Sequence, residues 1–315
     1  MTQTPAHQAN PRELADQLAR EGYVVVEGLL SNDEVADAQQ TIAGLLARER
    51  EQPFEPGDGP ARPEDAEIEA YLAASYKITP DEVARLMRRI RHTRAANRDT
   101  PWPVGPDKIN KTFIHIPSLF DHDKSQYVRN LPAKTPMADR LVEHPMVLGI
   151  ARGLLGDDCV IGDISATSIG PATTGGSWHL DNPYTQMPEP LPDCPLGMQV
   201  AWMFDDFTPE NGATRIVPRS HLTRRRPDWQ RGDRDDEIAL TGRAGSAAIW
   251  LGNTWHRAGP NATDQPRRAV ICFYQCSWIK PFSEYRQCIS PERATQMSPT
   301  VRYLYGFSAY GVVRG

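Results

Sequence analysis

Two histidines and one aspartate in this 315-residue chain have the types and spacing of metal ligands. His179 and Asp181 are separated by a single residue, and His256 follows far downstream. Residues two apart on a β-strand project from the same side, so that His179 and Asp181 can reach one ion. Two imidazoles and one carboxylate hold a non-haem Fe(II) on one face and leave the opposite face open. His-x-Asp alone is a weak signal, and a hydrogen-bonded surface pair is the alternative for these two residues.

The segments around these residues are typical of the rim of a sheet. A glycine-rich turn at residues 173–177 precedes His179, and a short apolar segment at residues 245–252 leads to His256. Arg267 then begins a second apolar segment. A guanidinium at that position is suited to a two-pronged ion pair with the carboxylate of a ligand, which lysine forms less well. The alternative is an arginine at a strand end that pairs with an acidic side chain of the chain itself.

The composition excludes several classes of protein. The chain is 39% hydrophobic and 24% charged, as is ordinary for a globular protein, and its net charge of −5 argues against a basic nucleic-acid-binding surface. No apolar segment approaches the roughly 18 residues of a membrane span, and the N-terminus has no hydrophobic signal core. The five cysteines are odd in number and lack a C-x-x-C pair, which fits reduced thiols. We expect a cytoplasmic protein without a membrane or nucleic-acid partner; the oligomeric state stays open.

The first half of the chain has the pattern of helices. Asn10 and Gly22 have the residue types that begin and end a helix, and a strand follows at residues 23–26. Ser31 and Glu34 form the capping box of a second helix, and a further helix is predicted from about Met137 to Leu155. The segment at about residues 51–107 begins rich in proline, glycine and charge, which favours an exposed insertion over a separate domain.

From residue 159 onward, short strand-like segments alternate with turn signals. Strands are predicted at residues 160–161, 166–169, 198–204, 214–217, 246–251 and 269–276. Helices followed by strands, without βαβ alternation, favour an antiparallel sandwich or barrel over a doubly wound sheet. We expect one domain over residues 1–315, with a mostly helical part at 1–156, a β core at 157–290 and a tail at 291–315.

The combined motifs resemble the phytanoyl-CoA dioxygenase (PhyH) family of Fe(II)- and 2-oxoglutarate-dependent oxygenases. The resemblance rests on His179-x-Asp181, on the segment at residues 206–221, on His256 and on Arg267 at the family's spacing. The opening segment at residues 21–30 is also similar to the family's N-terminus. The resemblance covers most of the chain and is weakest between residues 51 and 135. Where the family usually has Pro-Gly-Ser-His, residues 218–221 are Pro-Arg-Ser-His.

The resemblance implies a mainly β fold with flanking helices, namely a double-stranded β-helix, which is a jelly-roll core of the cupin kind. It implies that His179, Asp181 and His256 are the metal ligands and catalytic residues. Fe(II), the cosubstrate 2-oxoglutarate and O2 would be the cofactors. Arg267 would anchor the cosubstrate, and Thr214 and Trp202 match positions that often line its site. The implied reaction is hydroxylation of an unactivated C–H bond in a small molecule, with release of succinate and CO2; desaturation or ring formation at the same bond is the alternative.

Two aromatic residues adjoin the ligands and are candidates for the substrate pocket. Trp178 and Tyr184 are singled out for this reason, whereas aromatic residues elsewhere are more often part of the core. The arginine-rich stretch at residues 215–234 has acidic neighbours, which favours a self-paired solvated loop over a clamp for an anionic group. For His221, a backbone hydrogen bond in a turn is favoured over metal ligation.

Two other function classes stay in play. Zinc accepts the same ligands, so a zinc-dependent hydrolase is the enzymatic alternative, and a non-catalytic jelly-roll binding protein is the third. Arg267 discriminates between the iron oxygenase and the zinc hydrolase, because hydrolysis needs no buried anchor for a dicarboxylate. The resemblance also implies that Asp181 argues against a halogenase, since halogenases of this kind have a small residue there.

Overall fold

The computed structural model describes residues 3–51, 65–75, 80–81, 83–84, 87, 119–120, 125–228, 233–283 and 285–307. Most of the insertion predicted at about residues 51–107 lies outside the described residues, as do residues 308–315 of the predicted tail. The helices are α1 Pro11–Glu21, α2 Asn32–Glu51, α3 Asp65–Ser75, α4 Leu131–Lys134, α5 Met137–Val142, α6 Pro145–Leu155, α7 Tyr285–Cys288, α8 Pro291–Thr295 and α9 Pro299–Leu304. No helix of the described residues is long and apolar enough to cross a membrane.

The first helix begins and ends, and the second helix begins, where the sequence predicts. The Asn10 side chain accepts a hydrogen bond from the Arg12 backbone N–H at 2.9 Å, and Gly22 ends α1 in the left-handed conformation with φ 82°. At the start of α2, the Ser31 backbone N–H donates to the Glu34 carboxylate at 2.8 Å, and the Glu34 N–H donates back to Ser31 Oγ. Both predicted cap motifs are therefore confirmed.

The single helix predicted from Met137 to Leu155 is wrong, because the structure divides it into α5 and α6. Pro145 begins α6, and His144 before it is extended, with ψ 122°. Proline lacks the N–H that a continuing helix requires, and its ring disfavours the helical conformation of the preceding residue. The C-terminal end of the segment agrees with the prediction, since α6 is closed by Gly156.

Two β-sheets form the core of the fold, and together they confirm the predicted jelly roll. The larger one has the strand order β1-β2-β9-β6-β11-β5-β4-β3, and the smaller one has the order β10-β7-β8. The strands are β1 Gln3–Pro5, β2 Tyr23–Glu27, β3 Leu119–Phe120, β4 Ser125–Val128, β5 Val160–Ile169, β6 Gly197–Met203, β7 Arg215–Ile216, β8 Ile238–Ala239, β9 Ala247–Leu251, β10 His256–Arg257 and β11 Arg267–Gln275. Apart from the parallel pair β1–β2, neighbouring strands are antiparallel.

The larger sheet buries both of its faces. Its outer face packs against the helices in one cluster of apolar side chains that draws on residues from Leu14 to Tyr305. Its inner face packs against the smaller sheet in a second cluster, which includes Ala201, Ala248 and Ile216. Because successive residues of a strand point to opposite faces, the strand register decides which side chains enter the space between the sheets. The division of the chain at residues 156 and 290 stays a prediction.

Candidate metal centre and active site

The two candidate histidines face each other across an antiparallel bridge. The His179 N–H donates to the His256 carbonyl at 3.0 Å, and the His256 N–H donates to the His179 carbonyl at 3.1 Å. Directly opposed residues of such a pair project to the same face, and here the two ring centroids lie 4.2 Å apart. Backbone pairing therefore brings together two residues that are distant in the sequence.

Asp181 completes the cluster from the same strand face as His179. Its backbone N–H donates to the Gly252 carbonyl at 2.8 Å, which holds this segment beside the end of β9. The Asp181 Oδ1 atom lies 3.6 Å from His256 Nε2, and one ligand atom from each of the three residues lies within 4.8 Å of the others. Asp181 Oδ2 is buried and has no hydrogen-bond partner. The three side chains converge on one point, as the spacing predicts.

Each imidazole is oriented by a backbone carbonyl two residues before it. His179 Nδ1 lies 2.9 Å from the Ser177 carbonyl oxygen, and His256 Nδ1 lies 2.8 Å from that of Thr254. A carbonyl only accepts, so Nδ1 carries the proton and Nε2 presents its lone pair. Carbonyl partners of this kind set the orientation and basicity of metal-ligating histidines. The two nitrogens and one carboxylate form a donor set that fits Fe(II), and zinc accepts the same atoms.

Burial and the neighbouring charges shift the histidines in opposite directions. Burial, with a contribution from His256, lowers the pKa of His179 to about 4. Burial also lowers the pKa of His256, but the carboxylate of Asp181 outweighs this effect, so the net shift is upward. His179 is therefore neutral at pH 7, in the form that a metal ion requires.

Arg267 is a buried cation without a carboxylate partner among the described residues. Its side chain is 3% exposed, its Nη2 donates to the Gly212 carbonyl, and its Cζ lies 4.2 Å from the centre of the Phe207 ring. Its Nε has no hydrogen-bond partner, and burial lowers its pKa to about 10. The guanidinium is still protonated at neutral pH. It therefore carries a positive charge between the sheets that forms no ion pair with a described carboxylate, although Asp205 stabilises it from a distance.

The neighbouring Arg268 behaves differently. Its Nε and Nη2 form a two-pronged ion pair with Asp205, at 2.9 and 2.6 Å. The alternative of an arginine paired with the chain's own acidic side chain thus applies to Arg268 and not to Arg267. Sequence reasoning missed Asp205, and no local signal marks it as the partner because the pair spans two strands.

The two residues expected to line the cosubstrate site lie in different places. Thr214 is 8% exposed and lies two residues before Ile216, so both side chains point to the same face, between the sheets. Its role in lining the cosubstrate site stays a prediction. Trp202 belongs to the helix-side cluster, and its ring lies 5.3 Å from that of His144. In β11 its partner is Val270, which also faces the helices. The expectation for Trp202 is corrected: it lies on the opposite face of the sheet from the site.

The two candidate substrate residues are both held by contacts within the protein. Trp178 lies on the reverse side of the histidine pair, with the Arg257 guanidinium 5.1 Å from its ring centre. Tyr184 is fully buried, and its hydroxyl donates to the Cys194 carbonyl at 3.0 Å and accepts from the Leu196 N–H at 2.6 Å. Both side chains make contacts within the protein, and their role in lining the substrate pocket stays a prediction.

The arginine-rich segment is largely self-paired, as the acidic neighbours predict. Arg234 pairs with Asp236 at 2.8 Å, and Arg226 lies 3.7 Å from Glu189. Residues 229–232 of this segment lie outside the described residues. The predicted role of His221 is confirmed, since its Nε2 lies 3.0 Å from the Ala19 carbonyl oxygen.

Trp250 is a residue beside the metal ligands that sequence reasoning missed. It is 3% exposed, and its ring centroid lies 5.4 Å from that of His256. Strand alternation places it with Ala248 on the inner face of β9, whereas Ile249 faces the helices. The sequence predicts that alternate side chains of this segment share a face. Which of the two sets faces inward depends on the pairing of β9 with its neighbours.

Comparison with curated proteins finds relatives named as dioxygenases. The chain is 28% identical over 238 residues to "Dioxygenase af480" of Aspergillus fumigatus, covering 75% of this chain and 72% of the relative. It is 30% identical over 119 residues to "Dioxygenase andF" of Emericella variicolor, covering 36% of this chain and 39% of the relative.

Solved structures support the fold. The non-heme alpha ketoglutarate dependent carbocyclase SnoK from nogalamycin biosynthesis is 20% identical, with a TM-score of 0.54, over 92% of this chain and 95% of that one. EctD from S. alaskensis, solved with bound Fe, is 21% identical, with a TM-score of 0.51, over 86% of this chain and 79% of that one.

A protein-family model assigns the chain to a family, which the pairwise comparisons do not do by themselves. The model described as phytanoyl-CoA dioxygenase (PhyH) matches residues 18–269, a span that contains the three candidate ligands and Arg267. Since this match covers most of the chain, the protein belongs to the phytanoyl-CoA dioxygenase family and is a non-haem iron, 2-oxoglutarate-dependent dioxygenase.

Proposed function

We propose that this enzyme hydroxylates an unactivated C–H bond of a small molecule, such as a secondary-metabolite or amino-acid-derived intermediate. One oxygen atom of O2 would enter the product and the other would enter succinate, as 2-oxoglutarate loses CO2. The observation that carries the proposal is the combination of a partly buried two-histidine, one-carboxylate cluster with a buried arginine that has no carboxylate partner among the described residues. The first suits iron, and the second suits a dicarboxylate cosubstrate.

The chain's own residues would bind and orient the reactants. His179, Asp181 and His256 would hold the iron from one side and leave its other side to the ligands. When bound, the iron and 2-oxoglutarate supply the activation of O2. Arg267 would bind the far carboxylate of 2-oxoglutarate, and Phe207 would keep the guanidinium in place from behind. The apolar side chains between the sheets would keep bulk water away from the reacting atoms.

The zinc hydrolase and the binding protein fit less well. A buried guanidinium without a counter-ion is costly, and an anionic ligand offsets that cost. Hydrolysis on zinc needs no such ligand, and neither does a metal-free binding protein. The neutral state of His179 and its free Nε2 also favour metal binding over a simple surface ion pair.

A coupled assay tests the proposal. Purified enzyme is incubated with Fe(II), 2-oxoglutarate, O2 and a library of small molecules, and succinate and product mass are measured. We expect at least one compound to raise succinate formation and to gain one oxygen atom. A product that loses two hydrogens instead would contradict hydroxylation in favour of desaturation or ring closure. Turnover supported by zinc without 2-oxoglutarate would favour the hydrolase.

A further inference from the structure

The inner face of the larger sheet carries buried polar atoms whose hydrogen-bonding capacity is unused. Arg267 Nε is one of them, and the cosubstrate would account for it, as the metal ion would for Asp181 Oδ2 on the neighbouring segment. Trp250 Nε1 and Gln199 Oε1 are also buried without a partner among the described residues, and neither metal nor cosubstrate would account for them. Buried polar groups in native proteins are almost always hydrogen-bonded, so this donor and acceptor together are suited to bind a polar group of a ligand.

These two residues are direct neighbours. Gln199 on β6 pairs with Trp250 on β9, and on its other side it pairs with Phe273 on β11. Gln199 is half-buried and lies between Met198 and Val200, which both face the helices, so strand alternation directs Gln199 to the inner face. Trp250 lies next to the metal centre, as its contact with the His256 ring shows.

The pair lies too far from Arg267 to bind the cosubstrate's far end. Phe273, at the level of Gln199, is six residues from Arg267 on β11, which corresponds to about 20 Å along an extended strand. The carbon chain of 2-oxoglutarate is much shorter than this distance. The row formed by Trp250, Gln199 and Phe273 therefore lies beyond the reach of a cosubstrate held by Arg267, while Trp250 keeps it next to the metal centre.

An apolar wall adjoins the polar pair. The Phe273 ring lies over Gly197, where an added Cβ would be only 2.3 Å from the ring. Glycine at this position therefore lets the ring lie flat against β6. Ile271 lies two residues before Phe273, so its side chain points to the same face of the sheet, and it packs against the inner cluster. This side of the site thus combines an isolated hydrogen-bonding pair with hydrocarbon surface.

We propose that Trp250 and Gln199 bind a hydroxyl group of the prime substrate, whose apolar body lies against Phe273. The indole N–H would donate to the hydroxyl oxygen, and the hydroxyl would donate to the Gln199 amide oxygen. Among common substrate groups, an alcohol both accepts and donates through a single atom, as this pair requires. This inference rests on the proposed function and narrows its substrate to an alcohol-bearing small molecule.

Paired alcohols and their deoxy counterparts provide the first test. Each pair is offered to the enzyme with Fe(II), 2-oxoglutarate and O2, and succinate formation is measured. We expect stimulation by an alcohol to exceed stimulation by its deoxy counterpart. Equal stimulation within the pairs, or stimulation by none of the alcohols, would overturn the inference. Absence of any succinate formation, with or without a library compound, would instead count against the proposed function.

Two substitutions with a matched control provide the second test. Trp250→Phe removes the indole N–H, and Gln199→Met removes the amide at nearly constant length. Trp202→Phe deletes the same indole N–H on the helix-facing side of the sheet. Loss of one hydrogen bond should raise the KM for the alcohol by about tenfold in the first two variants, and this rise should exceed any rise for 2-oxoglutarate. If the KM for the alcohol in both variants equals that in Trp202→Phe, the inference is wrong.

A crystallographic soak completes the design without requiring the natural substrate. Anaerobic crystals of the enzyme with Fe(II) and 2-oxoglutarate are soaked in 2-propanol. The expected result is a 2-propanol hydroxyl within hydrogen-bonding distance of Trp250 Nε1 and Gln199. Density for 2-propanol elsewhere in the site only, or protein partners for both atoms, would overturn the proposal.

Discussion

Two backbone carbonyls decide which nitrogen each metal-binding histidine presents. Ser177 and Thr254 occupy the Nδ1 atoms of His179 and His256, so that both Nε2 atoms are free to face Asp181. The same geometry distinguishes these histidines from His221, whose Nε2 is engaged by the backbone of α1. At the residue scale, metal binding thus depends on ring orientation as much as on residue type.

Removal of one ligand should abolish iron binding without unfolding the chain. For His256→Ala, we expect iron affinity and 2-oxoglutarate turnover to fall by more than the roughly 10–100-fold typical of outer-shell changes. Anaerobic Fe(II) and 2-oxoglutarate titration, followed by the weak visible charge-transfer band, measures this. His221→Asn is the control, since it replaces a buried histidine outside the centre. Retained turnover in His256→Ala would remove the metal assignment.

Arg267 and its neighbour offer a matched pair of substitutions. Arg267→Ala should raise the KM for 2-oxoglutarate by about 30-fold or more, because truncating one partner of a buried charge pair costs about 2–5 kcal/mol. The KM for the prime substrate should change much less. Arg268→Ala removes only the ion pair with Asp205 and should leave the 2-oxoglutarate KM near its wild-type value. Equal effects of the two substitutions in steady-state kinetics would contradict the anchor assignment.

At the scale of elements, the site depends on how loops join the ends of the strands. Asn261 is fully buried, and its Nδ2 donates to the Ile169 carbonyl at 3.0 Å and to the Gln265 carbonyl at 2.8 Å. Its backbone N–H donates to Thr173. One side chain therefore ties the end of β5 to the loop before β11, and thereby holds Arg267 opposite Ile169.

Asn261→Ala should loosen this junction. Each buried carbonyl left without a donor costs about 1–3 kcal/mol, so we expect the free energy of unfolding to fall by about 2 kcal/mol or more. Thr263→Ala serves as the control, because Thr263 is partly exposed and bonds mainly to Asn261 itself. Urea denaturation of both variants measures the difference. A loss no larger than that of the control would show that the junction does not depend on this side chain.

At the scale of the whole molecule, buried histidines make stability depend on pH. Burial lowers the pKa of His144, which packs against Trp202, and of His221, which packs against α1. In the unfolded chain both titrate near 6.5. The unfolded state therefore binds more protons as the pH falls through that value, and stability is lost between the unfolded pKa and the lower folded pKa.

We expect the metal-free enzyme to melt at a lower temperature at pH 5.5 than at pH 7.5. The double substitution His144→Gln, His221→Gln should reduce this dependence, because glutamine donates a hydrogen bond but does not titrate. Some dependence should persist, since His179, with a pKa of about 4, contributes in the same direction, whereas His256, whose pKa is raised, contributes in the opposite direction. Calorimetry across this pH range tests the expectation, and an unchanged slope in the double variant would contradict it.

Much of the fold is predictable from local sequence because it depends on local chemistry. The caps at Asn10 and Ser31 form hydrogen bonds within one turn of helix, and their residue types predict them. The short apolar segments predict strands through their alternation and their turn signals. The break between α5 and α6 also depends on a local residue, Pro145. The prediction of one continuous helix did not take this proline into account.

The sequence by itself determined the chemistry of the site: the ligand types, their spacing and the arginine that follows them. Only the tertiary structure decided which other side chains face that site. Trp202 faces the helices on the opposite side of the sheet, whereas Trp250 lies beside the candidate metal centre. The physical reason is that strand side chains alternate with period two, so a register change of one residue exchanges the faces, and register is set by pairing between distant strands.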